Sequence, residues 1–162
     1  VASAQPPRSG AAMPISEAAS APVARRIADQ MTEFIRRHPL YRSADALVAA
    51  LPSNPDKTFD LPAVLAQQIS QDTGLPFLKQ ALIKVRVTAQ MKFCLSREDK
   101  IDNISDSMIC QTHQVQGKKI IVIDDIIESG ITLLETCRVL KHAGAAGIYG
   151  LAATKTLKTN FP

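Results

Sequence analysis

The side chains best placed for chemistry are two adjacent carboxylates, Asp124 and Asp125, which follow the apolar run Ile120-Ile121-Val122-Ile123 and precede Ser129-Gly130-Ile131-Thr132. A run of β-branched residues of that length reads as a strand covered on both faces in a parallel sheet. The residues after the turn read as a helix, so Gly130 and the Ser129 and Thr132 hydroxyls lie where a helix N-terminus presents unpaired N–H groups. Free donors and the positive end of the helix dipole make such a corner a phosphate site. Carboxylates repel phosphate, so the partners of Asp124 and Asp125 are hydroxyls or Mg²⁺. Hydroxyl-binding carboxylates beside a phosphate cradle describe a site for ribose 5-phosphate. Alone, an Asp-Asp pair after a strand is a solvated turn, and a Ser or Thr at a helix start is a cap; the strand, loop and helix together carry the sharper reading.

The elements that must position these groups form one domain, for which 162 residues suffice. Residues 1–22 are rich in Ala, Ser and Pro and read as a flexible leader. Residues 23–162 read as the folded domain, with an N-terminal amphipathic helix within 23–42 and a core over 46–156. In that first helix Val23, Ile27, Met31, Phe34 and Ile35 share one face, and Pro39 ends it. Residues 46–51 read as the first strand and residues 52–57 as a Pro-rich loop. Asp60 is expected to cap a helix that carries Pro62 in its first turn and stops at Gly74. Leu82-Ile83-Lys84-Val85-Arg86-Val87-Thr88 alternates as a strand with one wet face, and Ser96 caps a short helix with Glu98 and Asp99 in its first turn. The helix after Gly130 is expected to turn Leu133, Leu134, Cys137 and Leu140 inward and to close at Gly144. Residues 147–154 then give the next parallel strand, with Lys155 at its C-terminal edge. The fold class expected is α/β: an open, mainly parallel twisted sheet with flanking helices and a flexible hood segment.

The bulk numbers narrow the partners. A net charge of +4 suits anionic ligands but is too small and dispersed to indicate nucleic acid, and 4% aromatic residues leave no stacking platform. Cys94, Cys110 and Cys137 form no CxxC pair, which argues against a disulfide framework or zinc site and for reduced thiols in the cytoplasm. No apolar run reaches membrane-spanning length. His38, His113 and His142 have no carboxylate or nucleophile at a recognisable spacing and read as structural or solvent-facing. The sequence begins with Val rather than Met, which leaves open that it is a fragment of a larger protein.

The stretch from Ile120 to Glu135 resembles the phosphoribosyl-pyrophosphate (PRPP) signature of type I phosphoribosyltransferases: a hydrophobic strand, two acidic residues, then Ser/Thr-Gly-x-Thr. The segment from Leu82 to Ile104 is similar to the hood of the ComF-type competence branch of that family, with matches at Lys84, Arg86, Thr88, Gln90, Leu95, Ser96, Glu98 and Asn103. The resemblance implies that Asp124 and Asp125 hold the ribose hydroxyls and that Ser129, Gly130, Ile131 and Thr132 hold the 5′-phosphate. Glu128 departs from the commonest pattern, which has Thr there; it is placed to accept a proton from the incoming nucleophile. Lys57, in the loop after the first strand, and Lys84 and Arg86, in the hood, become the candidates for pyrophosphate, with Lys92 and Arg97 as second choices. The family's N-terminal cysteine zinc module has no counterpart here, Lys57-Thr58-Phe59-Asp60 replaces an Arg-Gly-Phe-Asn stretch, and Asp99 replaces an Arg.

What the resemblance implies is an enzyme that transfers 5-phosphoribosyl from PRPP to a nitrogen acceptor and releases pyrophosphate. Mg²⁺ would arrive with PRPP, and a homodimer is a family expectation. A different class stays open: a PRPP-sensing or DNA-uptake accessory module that binds without turnover, with nucleic acid not expected as a direct ligand.

Overall fold

The computed structural model describes residues 15–53, 59–89, 93, 94 and 96–156, with side chains from residue 21 onward in the first helix. Its centre is β4 (Lys119–Ile127), whose Ile120, Ile121, Val122 and Ile123 are wholly buried. β1 (Ala46–Ala49) runs parallel on one side, pairing Ala46 with Ile120 through Ala49 with Ile123, and β5 (Gly147–Lys155) runs parallel on the other. Phe77 adds a single parallel bridge to Leu47, outside β1. A strand paired on both edges and packed on both faces has no polar side to spare, which is why its sequence is continuously apolar rather than alternating.

Period-two geometry then divides the core. Ala46, Val48, Ile120 and Val122 face α6 (Ile131–His142) and pack with Val139 and Leu140. Leu47, Ile121 and Ile123 face α1 (Ile15–Arg37) and α3 (Leu61–Thr73). The α/β class with a parallel sheet and flanking helices is the architecture observed. None of the described helices is long and apolar enough to cross a membrane.

Several local expectations shift. α1 begins at Ile15, within the stretch expected to be a flexible leader, and Pro22 lies inside it. The Ser, Glu and Ala run before Pro22 has good helix propensity, and one missing N–H does not stop the helix once its later turns pack. The buried face of α1 is Ala24, Ala28, Met31 and Ile35, while Val23 and Phe34 are 59% and 42% exposed. Small alanines let α1 sit close on α3, so proximity rather than side-chain hydrophobicity chose the face. After α1, α2 (Pro39–Arg42) starts at Pro39; Tyr41 lies against Phe34 and Tyr149, and its hydroxyl donates to the Gly150 carbonyl at 2.6 Å.

The alternating segment forms only β2 (Leu82–Lys84), antiparallel to β3 (Met108–Cys110). The Val85 and Arg86 N–H groups both fall on the Ser107 carbonyl, beside the turn at Asp106 (φ 53°); β3 begins only at Met108, so the pairing stops there and Val87 is left outside. α4 (Arg97–Ile104) and α5 (Thr112–Val115) flank this hairpin. The cap predictions hold. Asp60 accepts from Ala63 N–H, Gly74 closes α3 at φ 77°, and Ser96 with Asp99 forms a full capping box on α4.

In α6 the inward set differs: Leu134 is 60% exposed, whereas Glu135 and Thr136 are buried. Both polar groups are satisfied. Arg138 donates twice to Glu135 at 2.7 Å, Asp106 N–H donates to it at 3.0 Å, and the Thr136 hydroxyl donates to the Thr132 carbonyl at 2.9 Å.

Candidate active site

A cavity of about 440 Å³ opens at the C-terminal ends of β1 and β4, the edge where open α/β sheets take ligands. Its wall includes Pro52 and Ser53 after β1, the residues from Asp124 to Gly130, and Lys84 and Thr88 from the segment above.

Asp124 and Asp125 both border it, and β4 continues past them to Ile127 rather than ending in them. Asp124 is therefore set inside a paired strand and is 8% exposed. Burial pushes its carboxyl up to about 7 against the help of the Asp125 N–H, which donates to Asp124 Oδ1 at 2.9 Å; the neighbouring Asp125 side chain raises it further. Among the described residues neither carboxylate has an ion-pair partner. Two adjacent acids, one of them buried and neither matched by a cation among the described residues, are costly to the fold and make this a candidate ligand site.

The corner expected to hold phosphate stands next to them. Gly130 adopts φ 75°, and a Cβ built on it would meet nothing within 4 Å, so it is the backbone angle and not crowding that calls for glycine. No side chain caps α6, and its first internal bond runs from Leu134 N–H to the Gly130 carbonyl at 2.9 Å. The N–H groups of Ile131, Thr132 and Leu133 thus begin the helix without helical acceptors. Ile131 is 4% exposed within the core, so it offers a ligand only its backbone.

The expected cations separate. Lys84 borders the cavity, donates to Thr88 Oγ1 at 3.0 Å and is half-buried; burial, and to a lesser degree Arg86, holds its pKa below the usual lysine value. Arg86 does not join it. Its guanidinium donates to the carbonyls of Ser105 at 2.8 Å and Asn103 at 3.1 Å, closing the C-terminal end of α4. Arg97 is an exposed first-turn residue of α4, and Lys155 is exposed at the end of β5. Lys57, Gln90, Lys92 and Leu95 lie outside the described residues.

Two further residues bear on the site: Thr88, already among the hood matches, and Lys100, which had no clear signal in the sequence. Thr88 is buried and ties the upper segment to the loop after β1 through a 3.4 Å bond to the Ser53 carbonyl. Lys100, on α4, donates to Glu128 Oε1 at 3.0 Å. Its position three residues beyond the start of a capped helix was readable, but its partner, 28 residues on, was not.

A sequence profile described as the phosphoribosyl transferase domain matches residues 63–155. The chain belongs to this phosphoribosyl transferase family. A putative ribose-phosphate pyrophosphokinase 2 of Lactococcus lactis is 46% identical over 39 residues, which is 24% of this chain and 12% of that protein. The family chain is thus matched to only a small part of the curated relative's length. Among solved structures, APRTase from Giardia lamblia complexed with 9-deazaadenine superposes with a TM-score of 0.55 at 15% identity, covering 89% of this chain and 86% of that one. Glutamine PRPP amidotransferase from B. subtilis gives 0.53 at 22% identity, covering 80% of this chain and 26% of that one. These likenesses show the fold shared across the phosphoribosyl transferase family.

Proposed function

We propose that this phosphoribosyl transferase domain binds PRPP with Mg²⁺ and transfers its 5-phosphoribosyl group to a nitrogen acceptor, releasing pyrophosphate. The observation that carries the reading is the juxtaposition in one cavity of two carboxylates on β4 with the N-terminus of α6, the former without a cation partner and the latter without a side-chain cap among the described residues. Asp124 and Asp125 accept the ribose hydroxyls, while Ser129, Thr132 and the first N–H groups of α6 hold the 5′-phosphate. Lys84 reaches the pyrophosphate from above. Among the described residues no three His, Cys, Asp or Glu side chains gather as metal ligands. Mg²⁺ would enter with the substrate and offset the charge of its pyrophosphate, and Asp124 and Asp125 would be the cavity carboxylates available to hold it.

The sheet and α6 fix the ribose, and bond cleavage at C1 leaves positive charge on the sugar and negative charge on pyrophosphate. Catalysis of this kind rests on position and charge. Glu128, at the cavity wall, is placed to take the proton of the incoming nitrogen. Pyrophosphate release from PRPP and Mg²⁺ across a panel of nucleobases, ammonia and glutamine tests the reading. A protein that binds PRPP and releases pyrophosphate with one acceptor bears it out; one that binds no PRPP overturns it.

A second reading is a ComF-type module that binds PRPP without turnover. The hood favours it: Arg86 and Asn103, two positions matched to that branch, are engaged in holding α4 and the segment before it rather than facing the cavity. Tight PRPP binding with no pyrophosphate released from it in the presence of any acceptor would select it.

A further inference from the structure

The geometry points to Lys100 as a positioning residue that lets the phosphate corner work with a carboxylate beside it. This inference rests on the ribose-phosphate reading of the cavity. Glu128 borders the cavity and immediately precedes Ser129, so its negative charge stands next to the hydroxyl and N–H donors assigned to the 5′-phosphate. Left alone, that charge opposes a phosphate dianion and offsets much of what the helix N-terminus contributes. Lys100 answers it from the protein side: its Nζ lies 3.0 Å from Glu128 Oε1, and its side chain is 12% exposed against 43% for the glutamate.

The ammonium is also held in readiness. α4 is fixed at its start by the Ser96–Asp99 capping box and at its end by the Arg86 guanidinium on the Asn103 and Ser105 carbonyls. A partly buried lysine on a helix fixed at both ends loses less entropy in pairing than a free surface lysine, so the pair is more than an incidental surface contact. Glu128 is then neutralised before any ligand arrives, and the donors between Ser129 and Thr132 stand beside one uncompensated negative charge fewer. Lys100 contacts Glu128 and is not itself part of the cavity wall.

Calorimetric titration of ribose 5-phosphate tests this, using the whole chain and four forms: wild type, Lys100→Met, Lys100→Arg and the double variant Lys100→Met/Glu128→Gln. Lys100→Met should weaken binding roughly tenfold at low salt, with a smaller loss at high ionic strength. Lys100→Arg should stay close to wild type. The double variant should regain affinity to within roughly threefold of wild type, because the charge that needed neutralising is gone. Wild-type affinity in Lys100→Met overturns the inference. So does a double variant as weak as the single one, which would show that Lys100 acts only by supporting α4. If the wild type itself gives no heat with ribose 5-phosphate, the reading of the cavity falls and the inference with it; the other failures leave that reading standing.

Discussion

Asn103 grips the peptide of Ala89 from both sides: Ala89 N–H donates to Asn103 Oδ1 and Asn103 Nδ2 donates to the Ala89 carbonyl, each at 2.9 Å. The side-chain amide imitates a neighbouring strand and holds the end of the segment that carries Lys84 and Thr88 over the cavity. Asn103→Ala should cost about 1–2 kcal/mol in chemical unfolding, at the modest level of two partly exposed hydrogen bonds. It should also speed amide exchange at residues 86–89 before global unfolding sets in. Unchanged exchange there would mean that the segment is held by Thr88 and Arg86 alone.

Asp124 makes the fold dependent on pH in an unusual direction. Its carboxyl titrates at about 7 in the folded chain against 3.8 as the ordinary value. Between those two values the folded state keeps a proton that the unfolded chain has lost. Stability from this group therefore falls as pH rises across that window and stays low above it. Asp124→Asn should flatten the slope and raise the stability of the ligand-free protein at neutral and mildly alkaline pH by roughly 1–3 kcal/mol. The same change should abolish high-affinity PRPP binding. Urea unfolding as a function of pH, paired with a PRPP titration, reads both; a variant no more stable than wild type above neutrality would contradict the burial argument.

Gly130→Ala separates backbone strain from ligand contact. The new methyl group meets no protein atom within 4 Å, but it sits on a backbone at φ 75°. The expected stability loss is about 1–2 kcal/mol. Affinity for ribose 5-phosphate should fall by more than that figure converts to, since the methyl group projects into open space beside the anion donors. A loss of affinity no larger than the loss of stability would mean that the loop does not approach the phosphate.

Lys84 and Arg86 should behave differently despite standing two residues apart. Lys84→Met is expected to weaken PRPP about tenfold while leaving ribose 5-phosphate nearly unaffected, because only PRPP carries the pyrophosphate that the ammonium would meet. Arg86→Met should lower the unfolding midpoint and weaken both ligands by similar, small factors through a loosened α4. Parallel titrations of the two ligands against each variant distinguish these patterns.

That contrast also shows what the sequence could and could not disclose. β4, Gly130 and α6 were legible because a β-branched run, a glycine and a helical pattern are local signals. The caps at Asp60, Gly74 and Ser96 were legible for the same reason: each is made with residues three or four positions away. Lys84 and Arg86 could not be told apart, since period two sets both on one face, and their fates depend on where β3 begins. Glu135 was invisible as a buried group because its partners include Asp106, 29 residues earlier on another element. Pattern reading weighs apolar residues, so it also passed over Ala24 and Ala28, which bury by being small.

The embedding of Asp124 within β4 has a kinetic consequence. The strand is laddered to β1 as far as Ile123 and to β5 from Lys119 to Ile127, so the floor of the cavity cannot yield without breaking the sheet. Among the described residues the roof is tied down beyond Lys84 mainly by isolated bonds, among them Thr88 to Ser53, Asn103 to Ala89, Arg86 to Ser105 and Lys100 to Glu128. Local opening of these bonds takes far less free energy than opening the ladder. A ligand bound in this cavity would thus take its position from the sheet, and its rates of entry and exit from the roof.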